Sequence, residues 1–179
     1  MTIQQKTFAT DSMMWRSFLQ GMALCFCFGM VVADDHYVSP YGTNNPPYTN
    51  WADAATNIQW AIDAASAGDS VKVTNGVYYS AGASRSNAMI CITNGIVFTS
   101  VNGSAYATIN GNWPIQTNRC IYLNNASAVI DGFTITGGTN SDTTSSGGGG
   151  GICCQNGLVR NCTIISNYAV YYGAGVRLV

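Results

Sequence analysis

The sequence predicts an all-β protein built as a parallel β-helix, in which each turn of the coil is one rung of short strands. Three observations lead to this prediction. The composition, with 20 glycines and 10 tyrosines in 179 residues and only 8% charged residues, favours strands and turns. A single segment has strong helical periodicity, and after residue 90 the chain repeats a strand–bend–strand pattern.

The N-terminal segment has the features of an export signal peptide. An apolar run from Phe18 to Val32 follows Arg16, and Val31-Val32-Ala33 has small residues at the two positions that signal peptidases recognise. At about 15 residues, the run is short for a membrane span, which needs roughly 20. We therefore predict a signal peptide over 1–33, no membrane span after its cleavage, and a secreted or cell-surface protein that could be associated with an outer membrane. An uncleaved anchor is the alternative.

The mature chain, 34–179, is predicted to begin with an amphipathic capping helix at about residues 52–67. Asn50 is placed to cap its start and Gly68 its end, although the start could be as late as Thr56. The helix should bury its apolar stripe on the rungs, which we place at about residues 70–179. The residues of the stripe are Trp51, Ala54, Ala55, Ile58, Ala61, Ile62 and Ala65.

The segments that begin at Ile121, Ile152 and Val176 are predicted to be successive turns of one coil. Leu123, Cys154 and Leu178 then share one stacked position, and alternation places Tyr122, Cys153 and Arg177 on the opposite face. Gly132 and Asn161 share a bend position. The glycine-rich stretch at about residues 138–150 is predicted to be a flexible loop between rungs. The last rung has no capping element, so we expect a C-terminally truncated part of a longer protein.

The cysteines of the mature chain are predicted to be structural. Cys154 and Cys162 stand where the neighbouring copy has Leu123 and Phe133, which favours a role as small apolar core residues. A disulfide and a metal site remain the alternatives, and zinc is disfavoured because the single histidine, His36, lies far away in the sequence. The five cysteines are Cys91, Cys120, Cys153, Cys154 and Cys162.

The mature chain resembles the secreted right-handed parallel β-helix proteins of the pectin-lyase-like superfamily. The resemblance rests on "HYVSPYGTNNPP" followed by "NIQWAIDAASAGDSVKVTNGVYY", which is similar to the first strand, capping helix and first rung of such proteins. The segments Gly149–Ile152 and Ile164–Asn167 are similar, more weakly, to the repeats of chlamydial polymorphic outer-membrane proteins. Members of the superfamily range from polysaccharide lyases and glycosidases to adhesins, so the resemblance implies the fold and leaves the activity open.

The acidic residues do not favour catalysis. A lyase of this superfamily needs carboxylates that hold Ca²⁺, and a glycosidase needs two or three clustered aspartates. Among the rungs the sequence has Asp142, alone in the loop, and Asp131, which aligns with Arg160 one rung on. Asp131 and Arg160 are therefore the lyase-type candidates, although an exposed ion pair between rungs is the simpler interpretation. Calcium is implied only for a lyase, and no other cofactor is predicted.

The function predicted from the sequence is that of a structural or adhesive surface module that contacts glycans or other surface proteins. Sparse basic residues disfavour nucleic acid, which needs clustered Lys and Arg. The alternative is a fragment of a polysaccharide lyase or glycoside hydrolase. The candidate glycan-contacting residues, all tyrosines expected on the outer face, are Tyr122, Tyr168, Tyr171 and Tyr172.

Overall fold

A parallel β-solenoid of about four turns, with one short helix, forms the part of the chain that the computed structural model describes, residues 32–83, 85–143 and 147–179. The predicted signal peptide lies outside the described residues except for Val32 and Ala33. The elements are β1 (Asp35–Val38), α1 (Ile58–Ala64), β2 (Ser70–Val73), β3 (Gly76–Tyr79), β4 (Ala88–Ile92), β5 (Val97–Ser100), β6 (Ala107–Asn110), β7 (Arg119–Asp131), β8 (Thr134–Thr136), β9 (Thr139–Asn140), β10 (Ile152–Arg160), β11 (Thr163–Ile164), β12 (Tyr168–Ala169) and β13 (Val176–Leu178).

The named strands form three sheets, and every ladder between them is parallel. The largest has the order β1-β2-β5-β7-β10-β13, with β4 also paired to β7, while β11-β8-β6-β3 and β12-β9 form the other two. The long strand β7 pairs with β4 along its first half and with β5 along its second half. The single strand β7 therefore lies beside both β4 and β5, the two shorter strands of the preceding turn.

The register confirms the predicted repeat. Ile121 pairs with Ile152, and Ile152 pairs with Val176, so the three segments are successive turns. Ile121 also pairs with Ile90 of the preceding turn, which extends the aliphatic column. The bend position is confirmed as well, because Gly132 and Asn161 have φ values of 81° and 53°.

The core consists of such columns of like side chains. Phe98 pairs with Val71 on one side and Ile130 on the other, and all three are fully buried. The Phe98 ring also stacks on Phe133, with centroids 4.4 Å apart and planes inclined by 17°. Each large apolar side chain buried in this way contributes roughly 1.5–3 kcal/mol to stability. The columns therefore hold the turns in register.

The helix is shorter than predicted. It begins at Ile58, because the Asn57 side chain accepts a hydrogen bond from the Gln59 amide at 2.8 Å and caps the first turn. Asn50, the predicted cap, instead accepts a bond from the Asp53 amide at 2.9 Å in a separate turn. The helix ends at Ala64, so Gly68 is not its capping residue.

The apolar spacing before residue 58 misled the helix prediction. Ala55 is buried because it forms a parallel bridge with Val38, in an extended conformation and not on a helix. Trp51 is partly exposed and packs edge-on against Tyr37 at 4.3 Å between ring centroids. Residues with the same apolar spacing therefore lie partly in extended backbone and partly on the helix. Hydrophobic spacing alone does not distinguish these two cases.

The helix covers apolar side chains and also the free edge of a strand. Ile58, Ala61 and Ile62 are buried in the core. The Cys91 amide of β4 donates to Gln59 Oε1 at 2.7 Å, and Gln59 Nε2 donates to the Cys91 carbonyl at 3.1 Å. One glutamine amide thus replaces a neighbouring strand for this residue, as buried backbone groups require.

The glycine-rich stretch predicted to be a flexible loop is largely packed. It contains β9, and the glycines at 147–150 are buried; residues 144–146 lie outside the described residues. A Cβ added to Gly150 would lie 2.0 Å from the Tyr168 carbonyl oxygen and 2.9 Å from that of Gly138. Adjacent turns therefore approach so closely at residue 150 that only glycine fits, which is close packing that the sequence analysis did not predict.

We predict that Gly150→Ala destabilises the fold by about 1–3 kcal/mol, because the new methyl group must displace backbone. Gly175→Ala is the matched control, since its methyl would meet only the Ile164 Cγ2 methyl, at 3.3 Å. Urea unfolding followed by circular dichroism measures both changes. Equal stability of the two variants would show that the close approach at Gly150 is not a constraint.

Candidate functional site

A cleft of about 590 Å³ lies beside α1, between the helix, β3 and the segment that leads into β4. Its volume is in the range of small-molecule sites, roughly 300–1,000 Å³. The side chains that line it include Asn57, Gln59, Trp60, Asp63, Tyr79 and Arg85. The cleft combines exposed aromatic rings with polar groups that are held in place.

Two aromatic side chains line the cleft and remain exposed, Trp60 by 48% and Tyr79 by 61%. Trp60 points outward because its helical neighbours Gln59 and Ala61 face the core. Tyr79 points outward because strand alternation places Tyr78 inside. Aromatic rings with this exposure in a concave site offer flat apolar faces to a ligand.

The polar side chains of the cleft form a connected network. Asp63 Oδ1 accepts a hydrogen bond from Gln59 Nε2 at 2.8 Å, and Asp63 Oδ2 accepts one from Arg85 Nη2 at 2.7 Å. Such an exposed ion pair contributes only about 0–1 kcal/mol to stability. Its effect is to orient a carboxylate and a guanidinium, whose further donors and acceptors remain available to a ligand.

The tyrosines predicted to contact glycans differ in exposure. Tyr168, Tyr171 and Tyr172 are exposed, and the rings of Tyr171 and Tyr172 lie 5.9 Å apart. Tyr122 is only partly exposed, and its hydroxyl donates to Gln155 Oε1 at 2.9 Å. The sequence analysis did not identify Trp60 or Tyr79, although the position of Trp60 off the predicted apolar stripe was a usable signal.

Asp131 and Arg160, the lyase-type candidates, are in contact as the rung alignment predicts. They pair in register, and Arg160 Nε donates to Asp131 Oδ2 at 2.9 Å. Asn161 Nδ2 donates to the other carboxylate oxygen at 2.8 Å. The Asn161 hydrogen bond lowers the pKa of Asp131 against a smaller opposing effect of burial, and Arg160 adds to the lowering. Both oxygens of this ionised carboxylate therefore have protein donors.

His36 and Asp69 form a buried pair that the sequence analysis did not predict, because it considered His36 only as a zinc ligand far from the cysteines. Their side chains are 5% and 6% exposed, with His36 Nε2 at 3.3 Å from Asp69 Oδ2. His36 Nδ1 lies 2.7 Å from the Pro47 carbonyl oxygen. Both ring nitrogens of His36 therefore lie beside oxygen atoms of the protein.

Hydrogen-bonding groups from three parts of the chain surround the Asp69 carboxylate. The Asp34 amide donates to Oδ1 at 2.9 Å, and the Ser66 amide donates to Oδ2 at 2.7 Å. Burial of the carboxyl group raises its pKa, but these two amides and His36 outweigh burial, so the pKa of Asp69 is lowered overall. Asp69 thereby ties the start of β1 to the residues that precede β2.

The five cysteines of residues 34–179 are free thiols, four of them buried. Cys154 belongs to the core and Cys162 packs against it, which confirms their predicted structural role. Cys153 pairs in register with Tyr122 and Arg177, as predicted for the opposite face, and it is buried without belonging to the core cluster of the described residues. Burial raises the pKa of Cys120 to about 12, which keeps that thiol protonated and unreactive at neutral pH.

The described residues contain no group of three or more His, Cys, Asp or Glu side chains placed to hold a metal ion. Within the same residues, no helix has the length and apolar character that a membrane crossing requires.

Comparison of the chain with protein-family models, with curated proteins and with solved structures finds no match. The geometry of the chain's own residues is therefore the basis on which its function is inferred.

We predict that Asp69→Asn destabilises the protein by about 1–3 kcal/mol at pH 7, since an NH₂ group replaces an acceptor that the surrounding N–H groups need. The lowered pKa of Asp69 means that its contribution is full above the unfolded value of about 3.9 and is lost as the pH falls through the folded value. Urea unfolding between about pH 2 and pH 7 measures both effects.

The matched control for this prediction is Asp63→Asn, which alters an exposed carboxylate. It should lower stability by no more than about 1 kcal/mol, because an exposed ion pair contributes little. An Asp69→Asn variant as stable as the parent protein, with the same loss of stability in acid, would contradict the role given to the buried carboxylate.

Proposed function

We propose that this protein is an exported, right-handed parallel β-helix of the pectin-lyase-like kind, which acts at the cell surface or outside the cell as a structural or adhesive module that binds glycans. The observation that supports glycan binding is the cleft beside α1, where exposed Trp60 and Tyr79 accompany the Asp63–Arg85 pair. The right-handed sense follows the general preference of parallel strand crossovers.

The chemistry of the cleft suits a sugar ring. A pyranose has C–H faces that pack on an aromatic plane and hydroxyl groups that exchange hydrogen bonds with planar polar side chains. Arg85 offers guanidinium donors, Asp63 offers carboxylate acceptors, and Asn57 offers an amide. The sparse charge of the chain, 8% of residues, favours a neutral or weakly charged polysaccharide over a polyanion.

The cleft is also held on rigid elements. Gln59, which orients Asp63, is buried and bonded twice to Cys91 of β4. Tyr79 is fixed by β3, whose inward neighbour Tyr78 is buried in the core. Side chains held in this way lose little conformational freedom on binding, which favours affinity for a flexible glycan.

The exposed tyrosines of the last described turns form a second set of aromatic contacts. Tyr168, Tyr171 and Tyr172 belong to β12 and the residues that follow it, whereas the cleft lies at the first turns. Two sets on one rigid coil would let a polysaccharide bind at more than one point, and linked weak contacts give a larger overall affinity than either set alone.

We predict that Trp60→Ala and Tyr79→Ala each weaken retention of the protein in gels that contain its polysaccharide by roughly 2- to 12-fold, the effect of losing one aromatic contact of about 0.5–1.5 kcal/mol. Affinity gel electrophoresis against a panel of polysaccharides provides the measurement. Trp51→Ala is the matched control, because Trp51 is exposed to a similar degree and does not line the cleft.

A Tyr171→Ala, Tyr172→Ala double variant tests the second set in the same gels. Loss of retention in this variant, with full retention in the Trp60 and Tyr79 variants, would place the glycan on the tyrosines and contradict the cleft. Absence of retention on every polysaccharide would contradict glycan binding altogether.

A fragment of a polysaccharide lyase or glycoside hydrolase is the second candidate, and the contact between Asp131 and Arg160 is the observation that favours it. Because Asn161 and Arg160 already occupy both Asp131 oxygens, we predict no turnover of polygalacturonate with Ca²⁺. The assay follows unsaturated product by its short-wavelength ultraviolet absorbance. Product formation that Asp131→Asn abolishes would support the lyase instead.

A further inference from the structure

The backbone of Asp34 lies beside the buried carboxylate of Asp69. Val32, Ala33 and Asp34 are exposed, and the compact unit of the fold begins at Val32. The Asp34 amide nevertheless donates to Asp69 Oδ1 at 2.9 Å, and the Asp34 carbonyl accepts from the Ser70 amide at 2.9 Å. The nitrogen of Asp34 is therefore fixed, while the residues immediately before it face solvent.

This nitrogen is also the atom that the predicted signal cleavage would release. Hydrolysis of the Ala33–Asp34 bond consumes one water molecule, leaves a carboxylate on Ala33 and converts the Asp34 amide into a free α-amine. At neutral pH an α-amine is mostly protonated, because its ordinary pKa is about 7.7–8.0. A neutral N–H donor would thus become a positively charged one at the same place.

We propose that Asp69 is the acceptor site for the processed N-terminus, so that signal cleavage turns the Asp34–Asp69 hydrogen bond into an ion pair that fastens β1 to the solenoid. The proposal rests on the export and on the cleavage position inferred above, and it is independent of glycan binding. It assigns a role to a buried carboxylate that lies outside the cleft.

The surroundings of Asp69 suit a cation. Its carboxylate is nearly buried, so its attraction to a charge at 2.9 Å is screened less than at the surface. Among the described titratable side chains, His36 of β1 faces this carboxylate, with its Nε2 at 3.3 Å from Oδ2. Asp35 is occupied by Lys72, whose Nζ lies 2.5 Å from its Oδ2, so it does not compete for the amine.

The ion pair gives stability a defined dependence on pH. The Asp69 carboxylate raises the pKa of the amine in the folded protein above its unfolded value. The resulting stabilisation is full below about pH 7.7 and is lost as the pH rises through the folded pKa. A protein in which an amide occupies this position has no such loss, because an amide does not titrate.

The test uses the full chain with a site-specific protease sequence in place of residues 30–33, so that the protease cuts directly before Asp34. The control carries the same sequence at residues 28–31, so that the cut leaves Val32-Ala33 attached. Both cleaved proteins have lost the preceding segment, and they differ in where the ammonium lies. We expect the protein that begins at Asp34 to melt about 2–4 °C higher at pH 7.

The difference between the two cleaved proteins should disappear towards pH 10 and should be absent in Asp69→Asn. Because that variant is expected to be less stable, the labelling rate of the α-amine by an acetylating reagent at pH 7.5 is a second measurement. We expect the Asp34 amine to react several-fold more slowly than the Val32 amine of the control. Equal melting temperatures and equal labelling rates would overturn the proposal.

Processing by the added protease does not depend on export, so this experiment separates the ion pair from the export hypothesis. The export hypothesis is tested by N-terminal sequencing of the protein recovered from a secreting host. Asp34 as the first residue is the expected result. A different first residue would overturn the natural formation of the ion pair, even if the cleaved protein forms it in vitro.

Discussion

The in-register stacking of parallel strands is the constraint on which the rest of this structure depends. Strands of successive turns lie about 4.8 Å apart, so a residue at an inward position rests on the residue at the same position of the turn before it. Ile90, Ile121 and Ile152 form one such column, fully buried. Most inward positions are therefore apolar, and most polar side chains lie at outward positions and bends.

Close stacking also explains residues that seem unrelated to a β core. Gly150 is required because the next turn approaches its Cα, and Gln59 is required because β4 has a free edge that needs both a donor and an acceptor. His36 occupies the same column as Val71 and is satisfied there by Asp69 and the Pro47 carbonyl. In each case a buried backbone or polar group dictates the residue.

The surface that remains has two kinds of polar contact with different consequences. Asp131 and Arg160 lie in register on neighbouring turns, and with Asn161 they satisfy one another. The cleft beside α1 differs because its walls come from a helix and a strand that no repeat relates, which leaves a concave space between them. A ligand site is accordingly favoured where the repetition of the coil is interrupted, at its first turns.

The sequence by itself determined the contacts that repetition imposes. Aligning the strand–bend–strand copies predicts neighbours along the coil, so the pairing of Ile121 with Ile152, the bend at Asn161 and the pairing of Asp131 with Arg160 all followed from it. The tertiary structure alone decided what lies outside the repeat. The pairing of His36 with Asp69, 33 residues apart, depends on the backbone path of irregular segments that no periodicity encodes. The start of the helix and the packing of the glycines were likewise decided by bridges and close approaches between distant segments.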